Sequence, residues 1–332
     1  MRPAMAARPK VDDEVFVLAE VAQLYYADDL TQDQIAQQLS VSRSAVSRML
    51  KEARERGLVE IRVHHPLQTS PELERELVGR FELADAVVLR SAPSGFDSDA
   101  AGDAADETAH KVGALGARYL QRHLEPQAIL AVGWGSAVLA VVSSGYLRRM
   151  PGVSIVQAMG STGNTSPDLD GIHIVARLAR ISGGQPYFLH APMIVADAAV
   201  RTGLLRDQHL RKTLEMVRRA SVFVFSVGVI GDRSGLYRSG YLTATDLDML
   251  RGEGIVGEIA GVYFDLDGQV RQLEINERMI AAPTEVIRAI PTRVGVSFGE
   301  GKAVANLGAI RSGLLSVLIT DEPTARAMLA HP

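Results

Sequence analysis

From residue 85 onward, seven short runs of Val, Ile, Leu and Phe leave few folds open to the chain. They are "DAVVLRS", "AILAVGW", "VSIVQAMG", "PYFLHAP", "SVFVFSVG", "TRVGVSFG" and "LLSVLITD". Runs that are apolar at nearly every position, rather than at alternate ones, are strands buried on both faces. Helical stretches such as "ADETAHKVGALGARYLQRHL", "GSAVLAVVSSGYLRRM" and "GKAVANLGAIRSG" lie between most of them. This alternation predicts a doubly wound, mostly parallel α/β sheet with helices on both faces. "GVYFDLDGQVRQLEI" departs from the pattern, and its turn at Asp267-Gly268 predicts a β-hairpin. The Gly-, Ser- and Asp-rich "SAPSGFDSDAAGDAAD" predicts a mobile loop.

The first 65 residues follow a different pattern. In "LTQDQIAQQLSVSRSAVSRMLKEARERG", Thr31 and Gln34 have capping-box spacing, and Ile35, Ala36 and Leu39 form a helical apolar stripe. Ser42 is placed to cap a second helix, in which Val46, Met49, Leu50 and Ala53 share one face, and Gly57 marks its stop. Arg43 stands in the first turn, while Ser44, Ser47, Arg48 and Lys51 repeat on the opposite face. Two short helices with a tight turn and an outward Ser/Arg/Lys face describe a helix-turn-helix that contacts phosphates and base edges of double-stranded DNA. A preceding helix with Val15, Leu18, Ala19, Ala22, Tyr25 and Tyr26 on one side completes a three-helix unit, and the strand-like "LVEIRVHH" gives it a winged-helix-like character. Arg43, Arg48, Lys51, Arg54, Arg56 and Arg62 oppose Glu52, Glu55 and Glu60, a local surplus of three positive charges. The plain alternative is a helical hairpin with a solvated charged face, which would not need both caps and the turn at this spacing.

A formal net charge of −4 over 332 residues excludes a generally basic nucleic-acid coat, so DNA contact must come from this local patch, repeated in a dimer or higher oligomer. The absence of cysteine excludes disulfides, thiolate metal sites and Cys nucleophiles. No metal or cofactor is expected. "MRPAMAARPK" carries no apolar stretch behind its basic residues, and no run approaches membrane-spanning length, so a soluble cytoplasmic protein with no membrane partner is expected. "PLQTS" predicts a linker, with Ser70 capping and Pro71 opening the helix "PELERELVGRF". The expected organisation is a DNA-binding domain at 1–65, a linker and oligomerisation helix at 66–81, and an α/β effector domain at 82–332.

Open parallel sheets bind ligands at the carboxyl ends of their strands. Four turns there are rich in glycine: Gly133, Gly135 and Ser136; Gly160, Ser161, Thr162 and Gly163; Gly228 and Gly231; and Gly299, Gly301 and Lys302. Such turns before helices suit a phosphate. Neither nucleotide fingerprint is complete, because Val138 replaces the third dinucleotide-type glycine, and Val296 and Ala303 break a Walker pattern. Together the turns predict a small phosphorylated-metabolite site, with Glu258 and Asp265 available for sugar hydroxyls or as ordinary turn acids. A sugar-phosphate isomerase or deaminase is the competing reading, but His173 and His190 stand apart and no clustered acid/base pair is evident.

The run "LAEVAQLYYADDLTQDQIAQQLSVSRSAVSRMLKEARERGLVEI", with "VGWGSAV", "SVGVIGD", "GEIAGVYFDLDG" and "FGEGKAVANLGAIRSG", resembles the SorC family of sugar-responsive bacterial transcriptional regulators over nearly the whole chain. The resemblance implies a C-terminal domain similar to sugar-phosphate isomerases, tetramer formation, and a phosphorylated sugar or polyol that alters operator binding. It places phosphate and sugar contacts on Gly133, Gly135, Ser136, Ala137, Gly160, Ser161, Glu258 and Lys302. Trp134 and Ser136-Ala137 depart from the usual first loop, and Glu258 stands where Asp is common.

Overall fold

The computed structural model describes residues 11–60, 67–91, 101–163, 169–232 and 234–332. The chain divides into two compact units, Met1–His65 and Pro66–Pro332.

The first unit contains helices α1 (Val11–Tyr26), α2 (Gln32–Gln38) and α3 (Arg43–Glu55). The Thr31–Gln34 capping box is present, and the Ser42 hydroxyl accepts from the Ala45 N–H at 3.2 Å, so both helix starts have their exposed amides satisfied. Ile35, Ala36, Val46, Leu50 and Ala53 pack with Leu18, Val21 and Ala22 into one core. Gly57 adopts φ +72°, the left-handed geometry expected just beyond a helix end. The expected face of α1 is partly wrong: Ala19 and Tyr26 are exposed and Val21 is buried instead. The buried row is Leu18, Val21 and Ala22, with Tyr25 half-buried beside it, and this narrower stripe is what the small unit covers. The wing expectation falls largely on residues 61–66, outside the described residues.

The second unit begins with α4 (Pro71–Phe81), β1 (Asp85–Leu89), α5 (Ala101–His123), β2 (Ile129–Val132), α6 (Ser136–Ser143) and β3 (Ser154–Gln157). There follow α7 (Gly171–Ser182), β4 (Gln185–Tyr187), α8 (Ala198–Leu204), α9 (Gln208–Arg218), β5 (Val222–Ser226), β6 (Gly228–Val229), α10 (Gly235–Arg238) and α11 (Ala244–Gly252). The chain ends with β7 (Ile255–Ile259), β8 (Val262–Asp265), β9 (Val270–Arg271), α12 (Thr284–Ala289), β10 (Thr292–Val296), α13 (Ala303–Arg311), β11 (Val317–Asp321) and α14 (Glu322–Ala330).

All seven apolar runs become strands of one parallel sheet in the order β1-β11-β10-β5-β2-β3-β4. Alternate residues feed two cores. Val222 and Val224 of β5 join a cluster with α5, α6 and α7, while Phe223 and Phe225 join one with α4, α9, α13 and α14. The sheet is therefore buried on both faces, which is why its strands are apolar throughout. The β8–β9 hairpin forms as expected, with Gly268 at φ +80°. It belongs to a second, antiparallel sheet, β6-β7-β8-β9, whose first two strands the sequence pattern did not announce.

Three local expectations need correction. The Ser70 side chain makes no cap bond; its N–H donates to the Val88 carbonyl, Thr69 bridges Leu89, and Leu67 is buried. Residues 67–70 are thus fastened to the sheet edge rather than serving as a loose linker. Helix α5 starts at Ala101, so the last part of the expected loop is helical, and residues 92–100 lie outside the described residues. Helix α6 stops at Ser143, because Gly145 takes φ +73° and the chain turns away before Arg148. Leu73 and Leu77, the apolar face of α4, are buried, and α4 packs on β1 and α14. Among the described residues, no helix is long and apolar enough to cross a membrane.

Candidate functional site

In the first unit, Arg43, Ser44, Ser47, Arg48 and Lys51 are all exposed on α3, opposite its buried Val46–Leu50–Ala53 face. Arg43 lies 3.8 Å from Asp33, but both side chains are about 70% exposed (69% and 72%), so this pair holds little energy and leaves the guanidinium available. Lys51 similarly pairs with Glu55 at 3.7 Å, and the Ser44 and Ser42 hydroxyls share a 2.9 Å hydrogen bond. The five residues form a solvated polar face at one side of a capped helix.

In the second unit the sheet order marks one crevice at the strand ends. After β2 the chain moves outward to β3 and β4; after β5 it moves the other way, to β10 and β11. The crevice between the carboxyl ends of β2 and β5 is the topological switch point. Its β2 side is the turn Gly133–Gly135. The Gly133 N–H continues the ladder to the Val224 carbonyl at 2.8 Å. Gly135 has φ +112°, and a Cβ there would stand 3.0 Å from Ser226 Oγ, so glycine permits both the backbone turn and the approach of β5. Ser226 Oγ accepts from the Val138 N–H at 3.2 Å. Helix α6 starts at Ser136, with Ala137 buried and Ser136 exposed, and its opening amides are the positive end of a helix.

The β5 side holds the charges. Lys302 Nζ donates to the Val227 carbonyl at 2.5 Å. Glu258, on β7, faces Gly228 across the β6–β7 pair, and a Cβ on Gly228 would lie 2.3 Å from Glu258 Oε1. Gly228 is therefore a strand residue that makes room for a carboxyl, not part of an anion-binding loop. The Glu258 carboxyl is buried; burial raises its pKa, opposed by the Gly261 N–H at 3.0 Å and by the positive charge of Lys302. Lys302 thus does not stand as an uncompensated cation at the start of α13: it is tied to a carbonyl and sits in the field of Glu258.

The second loop also differs from expectation. The Gly160 N–H goes to the Ile280 carbonyl and the Ser161 N–H to the Ala191 carbonyl, so neither amide is offered to an anion. A Cβ on Gly160 would meet the Pro192 carbonyl oxygen at 2.5 Å, and close backbone packing accounts for this glycine. Ser161 Oγ is buried and lacks a partner. Asp170 accepts from Thr162 Oγ1 at 3.2 Å and from the N–H groups of Gly163 and Ile172 at 3.0 and 2.9 Å. Asp265 is a turn acid, bonded to the Gln269 N–H and to Arg271. The contacts bring Gly133, Gly135, Ser136, Ala137, Glu258 and Lys302 around the end of β5, with Gly160 and Ser161 in the loop after β3. Sequence reasoning missed Ser226 and Asp170, whose only signal was position, one at a strand end and one before a helix. His173 and His190 are exposed and outside this group. Among the described residues no three His, Asp or Glu side chains are placed to hold a metal.

Residues 65–330 match the family model described as a sugar-binding domain, and residues 21–66 match the MarR family. The deoxyribonucleoside regulator of Bacillus subtilis is 30% identical over 93% of this chain and 96% of its own length. The LsrR transcriptional regulator of Klebsiella pneumoniae is 31% identical over 95% and 93%. The full-length sorbitol operon regulator SorC of Klebsiella pneumoniae superposes with a TM-score of 0.70 at 25% identity, covering 96% of this chain and 99% of that one. The chain belongs to the SorC family of sugar-binding transcriptional regulators. Its helix-turn-helix is the DNA-binding part of a SorC-family protein and its doubly wound domain the sugar-binding part. Its relatives are regulators and not enzymes, which decides against the isomerase or deaminase reading.

Proposed function

We propose that this SorC-family regulator binds operator DNA through Arg43, Ser44, Ser47, Arg48 and Lys51, and that a phosphorylated sugar or polyol in the β2/β5 crevice controls that binding. One observation supports the site above all. Consecutive residues of the chain hold its two halves: Ser226 engages the start of α6, and Val227 engages Lys302. A phosphate between them would meet the opening amides of α6 and the Lys302 ammonium. Glu258, Ser161 Oγ and the hydrogen-bonded Thr162–Asp170 pair supply polar groups for hydroxyls. The names of the relatives, a sorbitol operon regulator and a deoxyribonucleoside regulator, fit a polyol- or pentose-sized effector.

Self-association belongs to the same reading. One helix-turn-helix with a surplus of three charges reads a half-site weakly, so symmetric dimers or tetramers place two on one operator. The outward face of α4, with Glu72, Arg75 and Glu76, is the surface proposed for contact between copies; its apolar face is already covered. The test is a thermal-shift screen of the full chain against phosphorylated sugars and polyols, each beside its unphosphorylated form. A rise in melting temperature only with phosphorylated compounds is expected, because a ligand that binds the folded state stabilises it. Equal shifts from the unphosphorylated forms would remove the phosphate from the proposal.

A further inference from the structure

A second polar cleft lies along the sheet's β1 edge, away from the β2/β5 crevice. It encloses about 380 Å³ between α5, the first half of β1 and residues 67–69. That volume is in the range of small-molecule sites. On α5, Leu115, Arg118, Tyr119 and Arg122 follow one another at helical spacing and line the same wall. Leu67 and Thr69, close behind the DNA-binding unit in the chain, line the other.

The acids of this cleft are already engaged. Tyr119 is buried, and burial together with the nearby Asp85 charge pushes its phenol up to about 12, while the Asp85 carboxylate accepts from the Ala86 N–H at 2.8 Å. The Glu74 carboxylate accepts from the Val88 N–H at 3.0 Å. The His123 ring stacks on Tyr119 with centroids 4.0 Å apart and fixes its Nδ1 on the Tyr119 carbonyl. By contrast, among the described residues no carboxylate lies within ion-pair distance of Arg118 or Arg122. Two guanidinium groups on one helix face, with an apolar wall beside them, have the chemistry that receives an oxyanion attached to a small organic body.

We propose that this cleft is a second ligand site, taking a small organic anion, a carboxylate or a phosphate ester, between Arg118 and Arg122. A ligand there clasps residues 67–69 to α5. The backbone bonds that hold this segment, from the Ser70 N–H to the Val88 carbonyl and from the Arg90 N–H to the Gln68 carbonyl, would open less often.

The test uses the full chain carrying Lys302→Ala, so that loss of the β2/β5 site and loss of this one are separately visible. Calorimetric titrations with citrate and with inorganic phosphate compare that chain with one also carrying Arg118→Ala and Arg122→Ala. Both arginines are on the surface side of α5, and an unchanged melting temperature without ligand checks the fold. Saturable binding of at least one probe, weakened about tenfold or more by the two substitutions, is expected, with slower hydrogen exchange at the Ser70 and Arg90 amides when the probe is bound. Citrate alone binding assigns a carboxylate ligand, and phosphate alone assigns a phosphate ester. Absence of saturable binding, equal affinity without the two arginines, or binding that leaves both amides unchanged (an adventitious ion only) would overturn the proposal.

Discussion

The side of α3 proposed to face DNA and the proposed effector crevice between β2 and β5 are built in opposite ways. On α3 every side chain proposed for contact is solvated, and the fold contributes a capped helix. In the crevice Glu258 is buried and Lys302 half-buried, and the groups need neighbours to hold them: Glu258 needs Gly228 and Gly261, Lys302 needs Val227, and the α6 start needs Ser226. An exposed charge costs little to keep and adds little to stability; a buried one is expensive unless it is paired. Changes on the exposed face of α3 should therefore alter binding alone, whereas changes in the crevice should alter binding and stability together.

The largest effect should come from Leu50→Ala, at the centre of the small first unit, where Leu50 is 3% exposed. Removing it should cost about 2–5 kcal/mol and abolish operator binding. The effector-induced rise in the melting temperature of the second unit should stay as it was, and a joint loss in calorimetry would show that the two units do not fold separately.

Gly135→Ala places a Cβ 3.0 Å from Ser226 Oγ at a backbone conformation only glycine holds comfortably. A stability cost of about 1–3 kcal/mol is expected, with weaker effector binding in the same variant. Urea titration beside effector titration separates the two, and a stable, fully binding variant would show that the turn is not part of the crevice.

Arg48→Ala should weaken operator affinity by about 1–3 kcal/mol, the scale of a lost base contact, with no change in melting temperature. Fluorescence anisotropy at moderate salt reads this directly. Unchanged affinity would move the contact surface off this face of α3.

The smallest effect belongs to Glu258→Gln, and it is a matter of pH. Burial raises the Glu258 pKa in the folded state against the Gly261 N–H and Lys302, which lower it. A raised folded pKa gives stability that is fully present below the ordinary glutamic acid range and is lost as pH rises through the folded value. Wild type should lose stability on going from mildly acid to alkaline buffer, and the Gln variant should lose less. Parallel profiles from pH 5 to 8.5 would show that Glu258 is not held this way.

The same contrast explains what could be read in the sequence. The seven apolar runs, the caps at Thr31 and Ser42 and the outward face of α3 depend on residues near one another in the chain, so periodicity and spacing display them. The crevice depends on pairs far apart: Gly228 with Glu258, Val227 with Lys302, Ser226 with Val138. Glycine at 160 looked like an anion loop because close backbone packing and phosphate binding both demand a missing side chain. Strands β6 and β7 were hidden because Gly228 and Gly257 dilute their apolar pattern, and those glycines are there to admit Glu258 and Phe264. Only the topology, which sends the chain in opposite directions from β2 and β5, singles out the crevice among the Gly-rich strand ends.

The central claim is that an anion held by Lys302 in the crevice governs what α3 does on DNA. Its direct test is operator binding of wild type and Lys302→Ala, titrated with the sugar or polyol phosphate found by screening. Without effector, the two should bind the operator alike, although the variant should lose about 0.5–1.5 kcal/mol of stability with the Val227 bond. With effector, wild-type affinity should shift, and Lys302→Ala should need an effector concentration higher by about tenfold or more, the scale of a lost bond to a charged group. Identical effector dependence in the two proteins would contradict the account.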